Sequence, residues 1–389
     1  MKSVELFAGA GGLALGVAKA GFKHEVVIER DEPTCVTLKE NKRRGFEPVA
    51  HWKLFGDDVK KYDYRDIQDK VDLVAGGPPC QPFSIGGKHR AYNDARDMFP
   101  EAVRAVRELR PRAFIFENVK GLTRQSFFNY FNYIQLQLSY PDLARRDGED
   151  WLEHLTRLER YRTGGKEQGL WYRVVPHLLN AADYGVPQRR ERVFIVGFRS
   201  DLELEWSFPK ATHSQDALIW SQWVTGEYWE QHGIAGNDRE IPPRLIRKVQ
   251  RMKAAGEAPN SMRWRTVRDA IHDLPDPETP AADSVLNHRY VPGARVYLGH
   301  TGSPLDEPAK TLKAGDHGVP GGENMLVRER GGVRYFTVRE SARLQTFPND
   351  YLFPVSWTES MRQLGNAVPV ELAHSVASSV SSLLEGNAR

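Results

Sequence analysis

Several features are scarce in this sequence, and each scarcity excludes a class of protein. Only two cysteines, Cys35 and Cys80, occur in 389 residues, which excludes a disulfide-stapled secreted domain and favours a reducing compartment. No group of cysteine and histidine has the spacing of zinc ligands, so the sequence predicts no metal site. No apolar run is long enough to span a bilayer, and we expect no membrane partner. The net charge of only +3 does not by itself indicate a nucleic-acid partner.

The first thirty residues have the pattern of a nucleotide-binding βαβ unit. A short strand over 4–7 is followed by the glycine-rich turn 8–12 and by helical spacing over 13–20. A second strand over 23–28 ends at Glu29, at about the position where an acid commonly binds ribose hydroxyls. A solvated carboxylate remains the alternative for Glu29. The pattern favours an α/β fold with a mostly parallel sheet.

Cys80 follows a predicted strand directly. The apolar run 71–75 suits a buried parallel strand, and Gly76-Gly77-Pro78-Pro79 ends it because proline cannot donate to a ladder. Ligands bind at this edge of open α/β sheets. A thiol held on such a stiff turn suits a nucleophile, although a lone cysteine is more often inert packing.

Glu117 stands at the predicted carboxyl end of the next strand, 112–116. Because parallel strands bring such ends to one edge of the sheet, we expect Cys80 and Glu117 to meet as a nucleophile and an acid. A helix-capping or solvated acid is the alternative. The motif 188–192 places three arginines before a clear strand, 193–198, either as surface charge or as a clamp for an oxygen of a ligand.

The composition changes near Trp206, where proline, glycine and tryptophan replace the βα alternation. We expect a smaller, irregular second domain over 206–334, and a first domain over 1–205 and 335–389. A basic helix near 245–252 would suit a DNA backbone, with a solvated helix as the alternative. The basic loop 81–90 also suits an anionic partner. The predicted DNA contacts are Gln81, Ser84, Lys88, Arg90, Arg244, Arg247 and Arg251.

Six motifs in this order resemble those of the DNA (cytosine-5) methyltransferases. They are Phe-x-Gly-x-Gly-Gly at 7–12, Pro-Cys-Gln at 79–81, Glu-Asn-Val at 117–119, Gln-x-Arg-x-Arg at 188–192, Arg-Glu-x-x-x-Leu-Gln at 339–345 and Gly-Asn-x-Val at 365–368. The resemblance runs from about residue 4 to residue 380, and the segment 142–166 is an insertion of unknown role.

The resemblance implies a Rossmann-like domain that binds S-adenosyl-L-methionine, releases S-adenosyl-L-homocysteine and methylates carbon 5 of a flipped cytosine in duplex DNA. It implies that the second domain recognises the target sequence. The implied catalytic residues are Cys80, Glu117, Arg190 and Arg192. The implied cofactor residues are Phe7, Gly9, Gly11, Gly12, Glu29, Asp58, Val59, Pro79, Asn366 and Val368, with Asp57 as a competitor of Asp58.

By analogy with the prokaryotic members, we expect a cytoplasmic monomer that protects DNA against a companion restriction endonuclease. A transfer-RNA cytosine methyltransferase, a catalytically silent DNA-binding regulator and, more distantly, a nicotinamide-dependent oxidoreductase are the rivals. The extent of the second domain favours DNA, the intact Cys80 and Glu117 favour an enzyme, and the short glycine motif disfavours a nicotinamide site.

Overall fold

The chain, as a computed structural model, is described for residues 1–79, 97–165, 169–235, 240–298, 300–315 and 323–386. The chain forms two compact units. Unit 1 contains Met1–Leu179, Glu191–Pro209 and Phe347–Arg389, and unit 2 contains Asn180–Arg190 and Lys210–Thr346. None of the helices in these described ranges combines the length and the apolar character that a membrane crossing requires.

Unit 1 is built on a seven-stranded sheet with helices between its strands, which confirms the predicted α/β class. Its elements are β1 (Lys2–Leu6), α1 (Gly12–Lys19), β2 (Lys23–Ile28), α2 (Glu32–Arg43), β3 (Leu54–Phe55), β4 (Leu73–Gly76), α3 (Phe99–Leu109), β5 (Ala113–Val119), α4 (Phe128–Ser139), α5 (Trp151–Thr163), β6 (Tyr172–Asn180), β7 (Glu191–Arg199), α11 (Trp357–Asn366) and α12 (Val370–Gly386).

The strand order β3-β2-β1-β4-β5-β7-β6 reverses direction beside β1, which pairs in parallel with both β2 and β4. Ligands bind at such a switch point, outside the carboxyl ends of the strands. β5 also pairs in parallel with β4, whereas β7 runs antiparallel to β5. The sheet is therefore mostly parallel, as predicted, with the antiparallel pair β5–β7 beside the parallel strands.

β5 is longer than the sequence pattern predicts, and this changes the position of Glu117. The parallel pairing with β4 ends at Gly76 and Phe116. The antiparallel pairing with β7 continues, with Glu117 opposite Phe194 and Val119 opposite Arg192. Glu117 therefore lies inside a strand, one residue beyond the last pair with β4, because β7 extends the ladder.

The last helix, α12, packs closely on the first, α1. A Cβ placed on Gly16 of α1 would lie 2.7 Å from the backbone oxygen of Val370 and 2.7 Å from the nitrogen of His374. Only a residue without a side chain permits this approach. The contact brings the end of the chain back to the glycine turn that begins the sheet.

Unit 2 has little regular structure, as predicted for its region. Its elements are β8 (His213–Ser214), α6 (Gln215–Trp223), α7 (Glu227–Gln231), α8 (Ile246–Ala255), β9 (Met262–Arg263), α9 (Val267–Ile271), β10 (Met325–Val327), β11 (Val333–Tyr335) and α10 (Val338–Leu344). The strands form the pairs β8–β9 and β10–β11. One apolar cluster includes Val267, Leu312 and Phe336, and another includes Tyr228 and Trp229.

The unit boundaries differ from the predicted domain boundaries at three segments, 180–190, 206–209 and 335–346. Residues 180–190 pack in unit 2, where Arg189 N–H donates to Ala309 O at 2.8 Å. The helix α10 also lies in unit 2, and Thr337 and Glu340 form a capping box at its start. Glu340 in turn receives two hydrogen bonds from Arg334 of β11. The assignment of catalytic and recognition roles to the two parts stays a prediction.

Candidate active site

A cavity of about 490 Å³ opens in unit 1 at the carboxyl edge of the sheet. This volume lies within the range of small-molecule sites, about 300–1,000 Å³. Its wall combines the turn after β1, the ends of β2 and β5, the segment after β3 and the connection between α11 and α12. Of the predicted residues, Phe7, Gly9, Glu29, Asp58, Val59, Pro79, Glu117, Arg192, Asn366 and Val368 line it.

The turn after β1 takes conformations that expose its backbone. Phe7, Gly9 and Gly11 all have positive φ, at 54°, 55° and 87°. Gly11 N–H donates to Ala8 O at 2.9 Å and closes the turn. No atom among the described residues lies within 4 Å of a Cβ placed on Gly9, so a ligand can approach the backbone there.

Gly11 and Gly12, which were also predicted to bind the cofactor, do not line the cavity. A Cβ on Gly12 would overlap the carbonyl oxygen of Val368, and one on Gly11 would lie 3.4 Å from Leu38. Both glycines allow the turn to pack against its neighbours. Gly12 thereby fixes the position of Val368, which does line the cavity.

Glu29 is held by three backbone amides. Its Oε2 accepts a hydrogen bond from Gly9 N–H at 2.7 Å, and its Oε1 accepts from Arg30 N–H and Asp31 N–H, each at 2.8 Å. The carboxylate therefore joins the end of β2 to the glycine turn. It presents its remaining acceptor positions at a fixed place on the wall.

Asp57 and Asp58 both line the cavity, so its lining does not choose between them. Lys61 Nζ binds both oxygens of Asp57 at 2.9 Å, and its hydrogen bond, together with one from Asp58 N–H, lowers the pKa of the exposed Asp57 carboxyl. Asp58 caps a short helical turn by accepting from Lys60 N–H at 3.0 Å. Which of the two contacts a ligand stays open.

Glu117 and Arg192 form a buried ion pair in the cavity wall, with 2.8 Å between Arg192 Nε and Glu117 Oε1. The β5–β7 pairing places the two residues close to each other. Burial lowers the pKa of Arg192, and the charge and hydrogen bond of Glu117 oppose that effect. A buried charge is costly unless an opposite charge compensates it, and in this pair each residue compensates the other.

The turn after β4 is fixed against β5. Asn118 Nδ2 donates to Pro78 O at 3.0 Å, and a Cβ on Gly77 would lie 3.3 Å from Glu117 Oε2. Pro79, whose carbonyl accepts from Met98 N–H at 3.3 Å, lines the cavity. Cys80 itself lies outside the described residues, but the residue before it stands on the same wall as Glu117.

Comparisons with known proteins agree with this geometry. The model of the family "C-5 cytosine-specific DNA methylase" matches residues 1–140 and 164–382. The chain belongs to this family. The gap in the match, 141–163, overlaps the predicted insertion 142–166, where the structure has α5. Two similar proteins are the Type II methyltransferases M.Eco47II of Escherichia coli, 32% identical with 98% of this chain and 79% of that protein covered, and M.NgoMIV of Neisseria gonorrhoeae, 30% identical with 98% of both covered.

Solved structures of similar fold include a Spodoptera frugiperda DNMT2 variant, with a TM-score of 0.58, 17% identity and coverage of 100% of this chain and 99% of that one. The S. pombe Dnmt2 methyltransferase has a TM-score of 0.56, 17% identity and 99% coverage of both chains. These likenesses show the fold. Because the chain belongs to the methylase family, it is a DNA (cytosine-5) methyltransferase that uses S-adenosyl-L-methionine and acts on duplex DNA.

Among the predicted catalytic residues that the structure of this methyltransferase describes, Arg190 is the one that does not line the cavity. It is fully buried in unit 2, where its Nη1 donates to Leu312 O at 2.9 Å. The neighbouring Gln188 accepts from Leu312 N–H at 3.0 Å and donates to Leu344 O at 3.2 Å. Two members of the Gln-x-Arg-x-Arg motif thus hold unit 2 together, and only the third, Arg192, reaches the cavity.

The predicted DNA contacts of the methyltransferase divide into two groups. Gln81, Ser84, Lys88 and Arg90 lie outside the described residues. Arg247 and Arg251 are exposed on α8, and the exposed Arg244 precedes that helix and pairs with Glu307. Val249 is the one fully buried side chain of α8 in the described structure, so most of this helix faces solvent.

Sequence reasoning missed an ion pair that closes one side of the methyltransferase cavity. Arg362 Nη2 lies 2.5 Å from Asp31 Oδ2, and both residues line the cavity. Although burial opposes it, hydrogen bonds from Thr34 and Arg362 leave the pKa of Asp31 below its usual value. One signal was present in the sequence. Arg362 precedes Asn366 by one helical turn on α11, and Asp31 follows Glu29 by two residues.

Proposed function

We propose that this chain methylates carbon 5 of a flipped cytosine in a specific duplex DNA sequence through a covalent bond between Cys80 and carbon 6. The observation that carries the proposal is the buried Glu117–Arg192 pair, at 2.8 Å, in a cavity wall that also contains Pro79. Addition of a thiolate to a pyrimidine ring requires an acid and a fixed cation near the cysteine. Glu117 and Arg192 are such groups, and Pro79 directly precedes Cys80.

The cavity residues fit the methyl donor. Gly9 exposes backbone to a ligand, Glu29 and Asp58 present carboxylates suited to ribose and amino groups, and Phe7 and Val368 offer apolar surface. Bound there, S-adenosyl-L-methionine supplies an electrophilic methyl group on its sulfonium. Asn366 completes the same wall from the end of α11.

Cys80 would act as the nucleophile. A free thiol has a pKa of ~8.5, so only a small fraction is thiolate at neutral pH, and nearby positive charge raises that fraction. The thiolate adds to carbon 6, and the electron pair of the carbon 5–carbon 6 double bond moves to carbon 5, which then takes the methyl group. A base removes the proton from carbon 5, the double bond re-forms and the carbon–sulfur bond breaks.

Glu117 and Arg192 would hold the ring during this addition. Arg192 donates to the carbonyl oxygen of the base, and Glu117, protonated from solvent when the base enters, donates that proton to ring nitrogen 3, which stabilises the electron-rich adduct. Arg192 has the donors for both Glu117 and the base because a guanidinium carries five N–H groups. Neither contact is available inside a stacked duplex, so the base has to be flipped out at a cost of a few kcal/mol.

A transfer assay tests the reaction and the substrate together. Purified protein is incubated with tritiated S-adenosyl-L-methionine and either duplex DNA or transfer RNA. We expect radioactivity in the duplex DNA, and bisulfite sequencing of DNA from expressing cells should give one sequence context. Transfer to RNA alone would refute the proposal and favour the RNA-modifying rival.

We also propose that the enzyme works as a monomer in a prokaryotic cytoplasm and protects DNA from a companion restriction endonuclease. The similarity to Type II methyltransferases over 98% of the chain supports this role. Sedimentation of the protein alone and with target duplex would test the monomer. Methylated and unmethylated target DNA, digested with an endonuclease encoded beside the enzyme, would test protection.

A further inference from the structure

A segment of unit 2, Arg289–Leu298, combines exposed apolar side chains with unpaired positive charge. Leu298 is 100% exposed, Val296 56% and Tyr297 45%, and Leu298 is the most exposed large apolar residue in the described structure. Consecutive exposed apolar residues of this kind mark a contact surface for another molecule. They lie outside the basic helix that the sequence pattern singled out for DNA.

Within the segment itself all charge is positive, and the one acid of the described structure that reaches it, Glu278 on Tyr290, is already paired with Arg328. Residues 284–305 contain neither aspartate nor glutamate. Arg289 and Arg295 are exposed, and neither forms an ion pair or a side-chain hydrogen bond with the described residues. On α8, by contrast, Lys248 pairs with Asp216. Guanidinium groups that no carboxylate pairs with suit the phosphates of a nucleic acid.

Both ends of the segment are fixed within unit 2. On one side the buried His288 joins Thr337 Oγ1 at 2.8 Å and Pro275 O at 2.7 Å, and Arg339 Nε donates to Leu286 O at 2.9 Å. On the other side Ser303 N–H donates to Met325 O at 2.7 Å. The exposed side chains are therefore carried on a supported loop, which lowers the entropy lost on binding.

The tip has local order as well. Tyr297 and His300 exchange backbone hydrogen bonds of 3.3 and 2.8 Å, and their rings contact each other at a tilt of 37° with centroids 4.4 Å apart. This bridge fixes the backbone beside Leu298. An apolar side chain held in this way can contact a thymine methyl group or a base step, and tyrosine can do the same with its ring face.

We propose that Arg289–Leu298 is a DNA-contacting loop of the enzyme, with Arg289 and Arg295 on phosphates and Val296, Tyr297 and Leu298 against base edges in a groove. The inference rests on the proposed function. It assigns base reading to this loop, whereas Arg247 and Arg251 of α8 would contribute only to backbone affinity.

The phosphate contacts are tested by the salt dependence of binding to duplex DNA. For the double variant Arg289→Gln/Arg295→Gln we expect the slope of log K against log salt to fall by about two, since each phosphate contact contributes about 0.9. Arg162→Gln, an exposed arginine on α5, is the matched control and should keep the wild-type slope. A double variant with the control's slope and affinity would overturn the phosphate contacts.

The base contacts are tested by selectivity. After bisulfite sequencing defines the target, we expect Leu298→Ser to lower kcat/KM on that duplex roughly tenfold. Binding to a duplex without the site and affinity for the methyl donor should not change. Leu152→Ser on α5 is the control for an exposed leucine, and Leu298→Met should restore most of the selectivity.

The outcomes separate the two proposals. If the wild-type protein transfers methyl groups to duplex DNA but the Leu298 variant behaves like the Leu152 control, the loop proposal fails alone. A change in self-association without any change in DNA binding would also overturn it, because it would identify a protein contact. Absence of methyl transfer by the wild type to duplex DNA would refute the proposed function itself.

Discussion

At the scale of single residues, two arginines of one motif have different positions, and only one of them lines the cavity. Arg192 pairs with Glu117 in unit 1, whereas Arg190, two positions earlier, donates to a backbone carbonyl inside unit 2. The two cysteines also differ. Burial raises the pKa of the Cys35 thiol to about 11, and its Sγ donates to Glu29 O at 3.2 Å. Cys35 is thus a poor nucleophile at neutral pH.

Cys80→Ser should abolish methyl transfer and leave duplex binding intact, because a hydroxyl is a far weaker nucleophile than a thiolate. Tritium transfer and a gel-shift assay measure the two properties separately. Cys35→Ser keeps a hydrogen-bond donor at the other cysteine and should retain activity. Substantial turnover by the Cys80 variant would remove this residue from the mechanism.

Glu117→Gln should lower kcat by about 10²–10⁴-fold, since proton donation by a positioned acid contributes that much. Donor affinity, measured by calorimetry, should stay nearly constant. Glu191→Gln, which breaks an exposed ion pair with Lys120 at 2.7 Å, serves as the control and should have little effect. Loss of donor binding in the Glu117 variant would instead indicate a structural role.

At the scale of elements, the contact between α1 and α12 joins the two ends of the chain. Gly16 has no side chain where α12 crosses α1, and Tyr351 donates from its hydroxyl to Ala10 O at 2.7 Å. The turn that lines the cavity is therefore supported by residues more than three hundred positions later. The stability of these contacts and the shape of the cavity depend on each other.

Gly16→Ala should lower the free energy of unfolding by about 1–3 kcal/mol, because the added methyl group overlaps backbone atoms of α12. Urea unfolding measures the change, and weaker donor binding should accompany it. Gly386→Ala is the control, since no described atom lies within 4 Å of a Cβ placed there. Equal stability of the two variants would show that α12 shifts at no cost.

At the scale of the whole molecule, two buried ionisable groups in the sheet give stability a pH dependence. Burial raises the pKa of Glu5 well above 4.5, and neither carboxylate oxygen has a hydrogen-bond partner in the described structure. Burial lowers the pKa of His24 from 6.5 to about 4. Above about pH 4.5 the native state therefore keeps a proton on Glu5 that the unfolded state has released. Below about pH 6.5 the unfolded state binds a proton on His24 that the native state does not bind.

The two effects oppose each other between these unfolded-state pKa values, and above about pH 6.5 only that of Glu5 remains. Wild-type stability should therefore fall as the pH rises from about 6.5 to about 8. Glu5→Gln should be more stable than the wild type at about pH 8, with a smaller difference at about pH 6.5. Urea unfolding at several pH values measures this, and a difference between variant and wild type that stays constant from about pH 6.5 to about pH 8 would show that Glu5 is ionised in the native protein.

Local sequence determined much of the fold. The strand, glycine turn and helix of residues 2–19 and the strand over 23–28 follow from apolar spacing and from residues that tolerate positive φ, and both act over short distances. The same holds for the capping box at Thr337. The order of the motifs then identified the family, which the comparison with known proteins confirmed.

The tertiary structure decided which side chains meet. The antiparallel pairing of β5 with β7 extends β5 and places Arg192, not Arg190, beside Glu117. The pair of Asp31 and Arg362 joins residues 331 positions apart. The exposure of Leu298 also depends on what packs elsewhere in unit 2. Such contacts depend on the closure of long loops and on packing, and no local pattern in the chain specifies either.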